Sequence, residues 1–307
     1  MSAEEKRPAA RQSSYRDVAR RMKIIQEQQK RVVENMKKIK YKIAILSSKG
    51  GVGKSFVTVT LAAALAVKGR KVGVFDADVH GPSVHKMLGL PTGLGLPARA
   101  DGTIEPIEVP PGLKVVSIGL LLPTDETPVI WRGPLKTSAI RELLAYVDWG
   151  DLDYLLIDLP PGTGDEQLTI AQLIPQLTGV ILVTIPSEVS KAVVVKAAAF
   201  AKRLNVPIIG VIENMSYFEC PDGSKHYIFG RGAAKEIAEQ FNIPYLGEIP
   251  IDPRIREAND AGKVFFLEYP DSKAAKAFLE IAEKVTKIVE GKGASSSESN
   301  TQEISEA

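Results

Sequence analysis

The chain has 307 residues with 39 basic and 37 acidic side chains; a net charge of +2 says little about nucleic acid, and neither a nucleic-acid nor a membrane partner is expected. Its 44% apolar and 25% charged residues are those of a globular protein, and its single cysteine excludes a disulfide framework and fits a reducing compartment such as the cytoplasm. No stretch approaches the roughly 18 apolar residues of a membrane span, and the opening MSAEEKRPAARQSS lacks the apolar core of a secretory signal.

Residues 1–13 read as disordered. From Tyr15 onward, Val18, Met22, Ile25, Val32, Met36 and Ile39 recur in steps of three and four, with Gln29 in the one gap. Arg20, Lys23, Lys30, Arg31, Lys37 and Lys38 occupy the other face, so 14–40 is expected to be a basic amphipathic helix. Packing on its own domain is the first reading; a coiled-coil seam and a basic surface for an anionic partner are the alternatives.

Residues 41–290 alternate between strand and helix signals. Strands are predicted at 42–47, 71–75, 114–118, 153–157, 179–185, 207–212 and 244–247, and helices at 54–68, 134–147, 165–174, 188–204, 231–241 and 271–290. That order predicts an α/β domain, a mostly parallel sheet with helices on both faces. Right-handed crossovers place the loops at 48, 76, 159 and 186 along one sheet edge. The Gly- and Pro-rich segment 90–112 reads as an excursion near the edge, and the Ser- and Glu-rich tail 291–307 as disordered.

The first strand runs into LSSKGGVGKS, residues 46–55. Gly50, Gly51 and Gly53 allow a tight turn whose N–H groups face phosphate oxygens, and the backbone from Gly50 through Val52 to Phe56 forms the cradle. Lys54 supplies a cation for the β- and γ-phosphates, and the Ser55 hydroxyl can ligate Mg²⁺. The spacing departs from the standard phosphate loop: Ser48 stands where its first glycine would, and a second lysine, Lys49, appears. The bland alternative is a strand-to-helix turn with solvated lysines.

Two further segments support a nucleotide. In VGVFDADVHGPS, residues 72–83, a strand ends in the acidic pair Asp76 and Asp78, where a carboxylate can hold Mg²⁺-bound water or orient an attacking water. In YLLIDLPPGTGD, residues 154–165, Asp158 ends a Walker-B-like strand, followed by a Pro- and Gly-rich stretch able to respond to a γ-phosphate. Each aspartate alone could be a cap. With the loop before them, the three segments imply ATP and Mg²⁺.

Other residues have plain alternatives. Trp131-Arg132-Gly133-Pro134 opens a helix, and Arg132 is a candidate for a phosphate or a partner carboxylate. His80 and His85 form no metal pair and read as packing or surface residues; Asp252-Pro253 reads as a nucleotide-adjacent turn or a helix cap.

LSSKGGVGKS, DADVHGPS, WRGP, DLPPGTGD and IENMSYFECP, in this order over about residues 41–285, resemble the Mrp/ApbC-type iron–sulfur cluster carrier ATPases. These belong to the deviant-Walker-A branch with MinD, ParA and the nitrogenase iron protein. The resemblance implies a homodimer that sandwiches ATP and works with iron–sulfur donor or acceptor proteins. It assigns Lys54 to phosphates in its own subunit, Lys49 to the partner's nucleotide and Asp78 to water orientation. Asp158 would link to Mg²⁺ through water, Asn214 would read adenine, and Pro250 would lie near the base.

The family motif after ENMSYF is C-P-x-C, and here it reads Cys220-Pro221-Asp222-Gly223, with glycine where the second cysteine would stand or with that cysteine deleted. A thiolate-bound cluster normally takes four sulfur ligands, and a dimer of this chain offers two. Three readings stay open: a lost or weakened cluster site, a mixed site completed by His226 from each subunit, and Cys220 as a small packing residue. Two functions therefore follow: a slowly hydrolysing ATPase of cluster assembly or transfer, or a MinD/ParA-like ATP-driven switch without a stable cluster.

Overall fold

A computed structural model describes residues 7–47, 49–124, 133–162, 164–186 and 190–303, with backbone alone at 7–18, 190–195, 198 and 292–303. The first elements are α1 (Arg7–Lys37), β1 (Ile39–Leu46), α2 (Lys54–Val67), β2 (Val72–Asp76), the single turn α3 (Val84–Met87), β3 (Ile107–Val109) and β4 (Leu113–Ser117). There follow α4 (Gly133–Tyr146), β5 (Leu152–Asp158), α5 (Asp165–Gln172), β6 (Gly179–Thr184), α6 (Ser190–Leu204) and β7 (Ile208–Glu213). A hairpin of β8 (Phe218–Glu219) and β9 (Lys225–His226) precedes α7 (Ala233–Phe241), β10 (Tyr245–Glu248), α8 (Pro253–Asp260), α9 (Phe265–Glu268) and α10 (Lys273–Glu303).

Eight strands form one sheet in the order β10-β7-β6-β1-β5-β2-β4-β3, parallel except for β3 against β4. Both faces are covered, which is why the central strands are near-continuous apolar runs. Along β1, Ile43 and Ile45 enter one core with α2 and α10, while Ala44 and Leu46 enter the other with α1, α4, α5, α6 and α7. All the central strands end on one edge, so the loops after β1, β2 and β5 meet there, as expected for an open α/β sheet. Among the described residues, no helix is long and apolar enough to cross a membrane.

Each predicted strand and helix of the 41–290 segment falls on an observed element of the same type. The ends differ. α1 begins at Arg7, inside the segment expected to be disordered; Pro8 is compatible with a first turn, whose N–H groups lack helical acceptors anyway. α10 continues to Glu303, through residues expected to form a disordered tail; Gly291 and Gly293 are weak helix formers, but no proline blocks the backbone.

α1 packs on its own domain through its C-terminal half. Gln28, Val32 and Met36 are buried, whereas Met22 and Ile25 on the continuation of the stripe are 59% and 45% exposed. Asn35 Nδ2 donates to Ala145 O at 2.8 Å near the end of α4. The buried Lys42 ammonium donates to Met36 O and Ile39 O at 3.1 and 3.0 Å, closing the C-terminus of α1 over β1. Burial lowers the Lys42 pKa from its ordinary value.

Truncating the buried half should therefore matter and the exposed half should not. Met36→Ala is expected to lower the urea unfolding free energy by about 2–5 kcal/mol, and Ile25→Ala by less than about 0.5 kcal/mol. Equal effects would show that the stripe packs along its whole length.

Candidate functional site

The loop between β1 and α2 is shaped by one glycine above all. Gly53 adopts φ 78°, the left-handed region, immediately before the first turn of α2. A Cβ there would also lie 2.3 Å from Asn214 Nδ2. Asn214 follows β7, is buried, and donates from Nδ2 to Val52 O at 2.9 Å, while its own N–H donates to Thr184 O at 2.7 Å. The loop is thus braced from beneath by the ends of β6 and β7. It lines a cavity of about 250 Å³ with Lys49, Ser55, Asp78 and Pro161, and Lys49 is exposed at its rim.

Asp158 is the hub of the site. The register of β5 places it beside Ile45 of β1 and Asp76 of β2. Lys54 Nζ and Thr58 Oγ1 donate to its Oδ1 at 2.6 and 2.9 Å, and Ser55 Oγ to its Oδ2 at 2.6 Å. Asp158 is fully buried and Lys54 is 6% exposed. Such a carboxylate is tolerable only with a paired cation and satisfied oxygens. Ser47 Oγ, also buried at this cavity, has no hydrogen-bond partner among the described residues, which leaves a polar group for a ligand to meet. The Ser55 hydroxyl and Asp158 carboxylate are adjacent hard oxygen donors, and they fit Mg²⁺.

Behind this hub lies Asp76. Burial, then the neighbouring Asp158 charge, push its pKa up to about 7, against the Ser117 hydrogen bond, the Lys54 charge and the Asp78 N–H. Asp78 is buried at the cavity wall and its pKa is also raised, mainly by burial, with the Lys54 charge opposing. Asp78 Oδ1 accepts the N–H groups of His80 and Gly81 at 3.2 and 3.1 Å. Lys136 of α4 is hydrogen-bonded to His80 and donates to Glu166 Oε1 at 3.1 Å, so it ties the Asp78 turn to the start of α5.

Cys220 lies elsewhere, in a cleft of about 770 Å³ that also holds Glu219, Pro250, Arg254, Tyr269 and Lys273. It is half-buried, a free thiol, and it opens the turn of the β8–β9 hairpin. Cys220 N–H donates to Ser224 O, and Gly223 N–H to Cys220 O, both at 2.9 Å. Gly223 has φ 85°, so the position where the motif has its second cysteine is in the left-handed region. His226 is exposed, with Nε2 3.5 Å from Ser224 Oγ. Among the described residues, no three His, Cys, Asp or Glu side chains stand together as a metal-binding group, so one chain by itself does not assemble a mixed-ligand site.

The structure therefore brings together residues 49–56, Asp78, Asp158 and Asn214, and sets Cys220, His226 and Pro250 apart. Trp131 and Arg132 lie outside the described residues. Asp252 is a helix cap, accepting the Arg254 N–H at 3.0 Å at the start of α8. Sequence reasoning missed Thr58, one helical turn after Lys54 on the same face, which the four-residue spacing could have shown. It also missed the scaffolding of Asp76 by Ser117, and placed His85 no closer than packing; nothing local links these residues.

The family model described as ParA: NUBPL iron-transfer P-loop NTPase matches residues 38–286. An iron–sulfur cluster carrier protein of Saccharolobus solfataricus is 56% identical over 280 residues, covering 91% of this chain and 94% of that protein. One of Methanocaldococcus jannaschii is 54% identical over 271 residues, covering 88% and 92%. Among solved structures, a nucleotide-binding protein of Archaeoglobus fulgidus in complex with ADP matches with a TM-score of 0.69 at 41% identity, covering 77% of this chain and 92% of that one. The septum site-determining protein MinD of Pyrococcus horikoshii, complexed with Mg-ADP, matches at 0.62 and 27% identity, covering 81% and 97%.

The raised Asp76 pKa makes a stability prediction. Its unfolded value is near 3.8 and its folded value about 7, so the folded chain holds the extra proton between those limits. That contribution is full below about pH 4 and is lost as pH rises to about 7. Urea midpoints of wild type and Asp76→Asn should diverge across this window, with the variant gaining relative to wild type, and run parallel above it. A constant difference would mean that Asp76 titrates normally.

Proposed function

This chain belongs to the ParA-type NUBPL iron-transfer P-loop NTPases, and we propose that it is a slowly hydrolysing, homodimeric ATPase that carries iron–sulfur cargo between donor and acceptor proteins. The observation that carries the nucleotide half is the Asp158 hub: Lys54, Ser55 and Thr58 converge on one buried carboxylate beneath a glycine cradle. ADP in the Archaeoglobus protein and Mg-ADP in the Pyrococcus protein support the same use of this edge.

The roles follow from position. Lys54 exchanges its Asp158 partner for phosphate oxygens when nucleotide arrives. Ser55 and Asp158 would hold Mg²⁺, which would supply charge neutralisation at the β- and γ-phosphates. Asp78, fixed by two backbone N–H groups, orients the attacking water. Lys49 at the rim serves the partner subunit's nucleotide, so hydrolysis waits on dimerisation. Asn214, braced against Val52, reads adenine, whereas Pro250, expected near the base, lines the cysteine cleft instead. The cytoplasm is the expected compartment.

Cargo is the weaker half. Two Cys220 thiolates from a dimer give half of a usual ligand set, and His226, Asp222, water or a small thiol completes it. If the cleft holds no iron, the second reading stands: an ATP-driven switch of the MinD/ParA kind on a carrier scaffold. The single thiol per chain is what favours that reading.

Two experiments test these roles. Lys54→Ala should abolish ATP hydrolysis and most nucleotide affinity, while Asp78→Ala should retain binding, lose turnover and run as a dimer with ATP in light scattering. Hydrolysis by Lys54→Ala at the wild-type rate would sink the site assignment. After anaerobic reconstitution, iron content should fall below one cluster per dimer, be lost to chelators, and vanish in Cys220→Ala. A full-occupancy cluster that survives gel filtration would contradict the weakened site, and His226→Ala would then test the mixed ligand set.

A further inference from the structure

The turn that carries Asp78 hangs from one carboxylate. Asp76 Oδ1 accepts the Asp78 N–H at 3.1 Å, and its Oδ2 accepts the Val84 N–H at 3.3 Å. Residues 77–83 are therefore pinned at both ends by Asp76, and the direction of the Asp78 side chain depends on where the Asp76 carboxylate sits.

A line of buried side chains holds that carboxylate from behind. Ser117 Oγ donates to Asp76 Oδ2 at 2.8 Å, His85 Nδ1 lies 3.3 Å from Ser117 Oγ, and His85 Nε2 lies 2.9 Å from Thr92 Oγ1. Asp76 and Ser117 are fully buried and His85 is 1% exposed. The proton count gives the line a direction. Ser117 has one hydroxyl proton, spent on Asp76, and its oxygen already accepts the Gly119 N–H at 3.1 Å. With Asp76 ionised, a His85 Nδ1–H donated to Ser117 completes this line, and Nε2 faces the Thr92 hydroxyl. The chain makes room for this ring with glycine: a Cβ at Gly119 would stand 2.1 Å from His85 Cε1.

We propose that His85 is a positioning residue for ATP hydrolysis: through Ser117 and Asp76 it fixes the turn that aims Asp78, without touching nucleotide or water. The inference rests on the ATPase reading above. His85 sits on α3, at the C-terminal end of the turn it supports, so the Asp78 turn is closed on itself by its own flanking residue.

The amide variants separate positioning from packing. Asn reaches the place of Nδ1, and Gln reaches the place of Nε2. His85→Asn should keep kcat within about twofold of wild type, while His85→Gln, His85→Ala and Ser117→Ala should lower it about tenfold or more at unchanged ATP affinity. The double variant His85→Gln with Ser117→Ala should be no slower than Ser117→Ala alone. Thermal midpoints measured alongside should fall alike for His85→Asn and His85→Gln, so stability does not explain a gap in kcat. Wild-type kcat in His85→Gln, equal losses in the two amide variants, or a loss confined to KM would overturn the proposal. A wild type that turns over no ATP, or Lys54→Ala as fast as wild type, would overturn the ATPase reading and this inference with it.

Discussion

One buried ion pair organises this molecule. Lys54 opens α2, Asp158 closes β5, and their 2.6 Å contact joins elements more than a hundred residues apart in sequence. A charge in a fully covered α/β core is unfavourable alone, so each partner restricts where the other can be. The β1–β5 and β2–β5 registers do the same from the backbone side, setting Ile45, Asp158 and Asp76 in a row at one sheet edge. The cavity that a phosphate would enter is the space left above that row. A ligand able to take Lys54 from Asp158 must offer comparable negative charge, which selects for phosphate over neutral ligands.

The sequence was most legible where its signals are local. Continuous apolar runs ending in glycine or aspartate marked β1, β2 and β5, and the glycines around Lys54 marked the turn into α2, because these features depend on a few adjacent residues. What was illegible depends on pairing across the sheet. Nothing near Ser117 indicates that it will meet Asp76, since that contact follows from the β2–β4 register, which sets Asp76 opposite Ser117. His85 looked like a packing residue because a buried histidine and an inert one share the same surroundings in sequence. At the ends of α1 and α10 the backbone is helical although the sequence there reads as disordered: polar composition argues against a packed core, but it does not by itself forbid a helical backbone.

The nucleotide cradle and the cysteine cleft are separate spaces, yet one segment serves both. Asn214 props Val52, and six positions later Cys220 opens the hairpin. Between them, Ser216 N–H donates to Ile249 O at 2.9 Å, and Ile251 N–H donates to Tyr217 O at 2.7 Å. Buried Glu213 ties the same stretch to α7 by accepting the Ala234 N–H at 2.9 Å. The segment is therefore stiff, fastened on both sides by backbone bonds.

Its one exceptional backbone position is Met215, at φ 54°, between the residue that braces the cradle and the strand that leads to the thiol. A methionine in the left-handed region costs on the order of 1 kcal/mol or more and persists only where neighbours over-determine it. Here those neighbours are the cradle itself: the Met215 side chain lies 3.6 Å from where a Gly53 Cβ would be. A side chain at position 53 would meet both Asn214 and the Met215 side chain, so the small size of Gly53 is what lets this segment lie against the loop. Gly53, the amide of Asn214 and the left-handed backbone of Met215 thus lie against one another between the phosphate cavity and the strand that leads to Cys220.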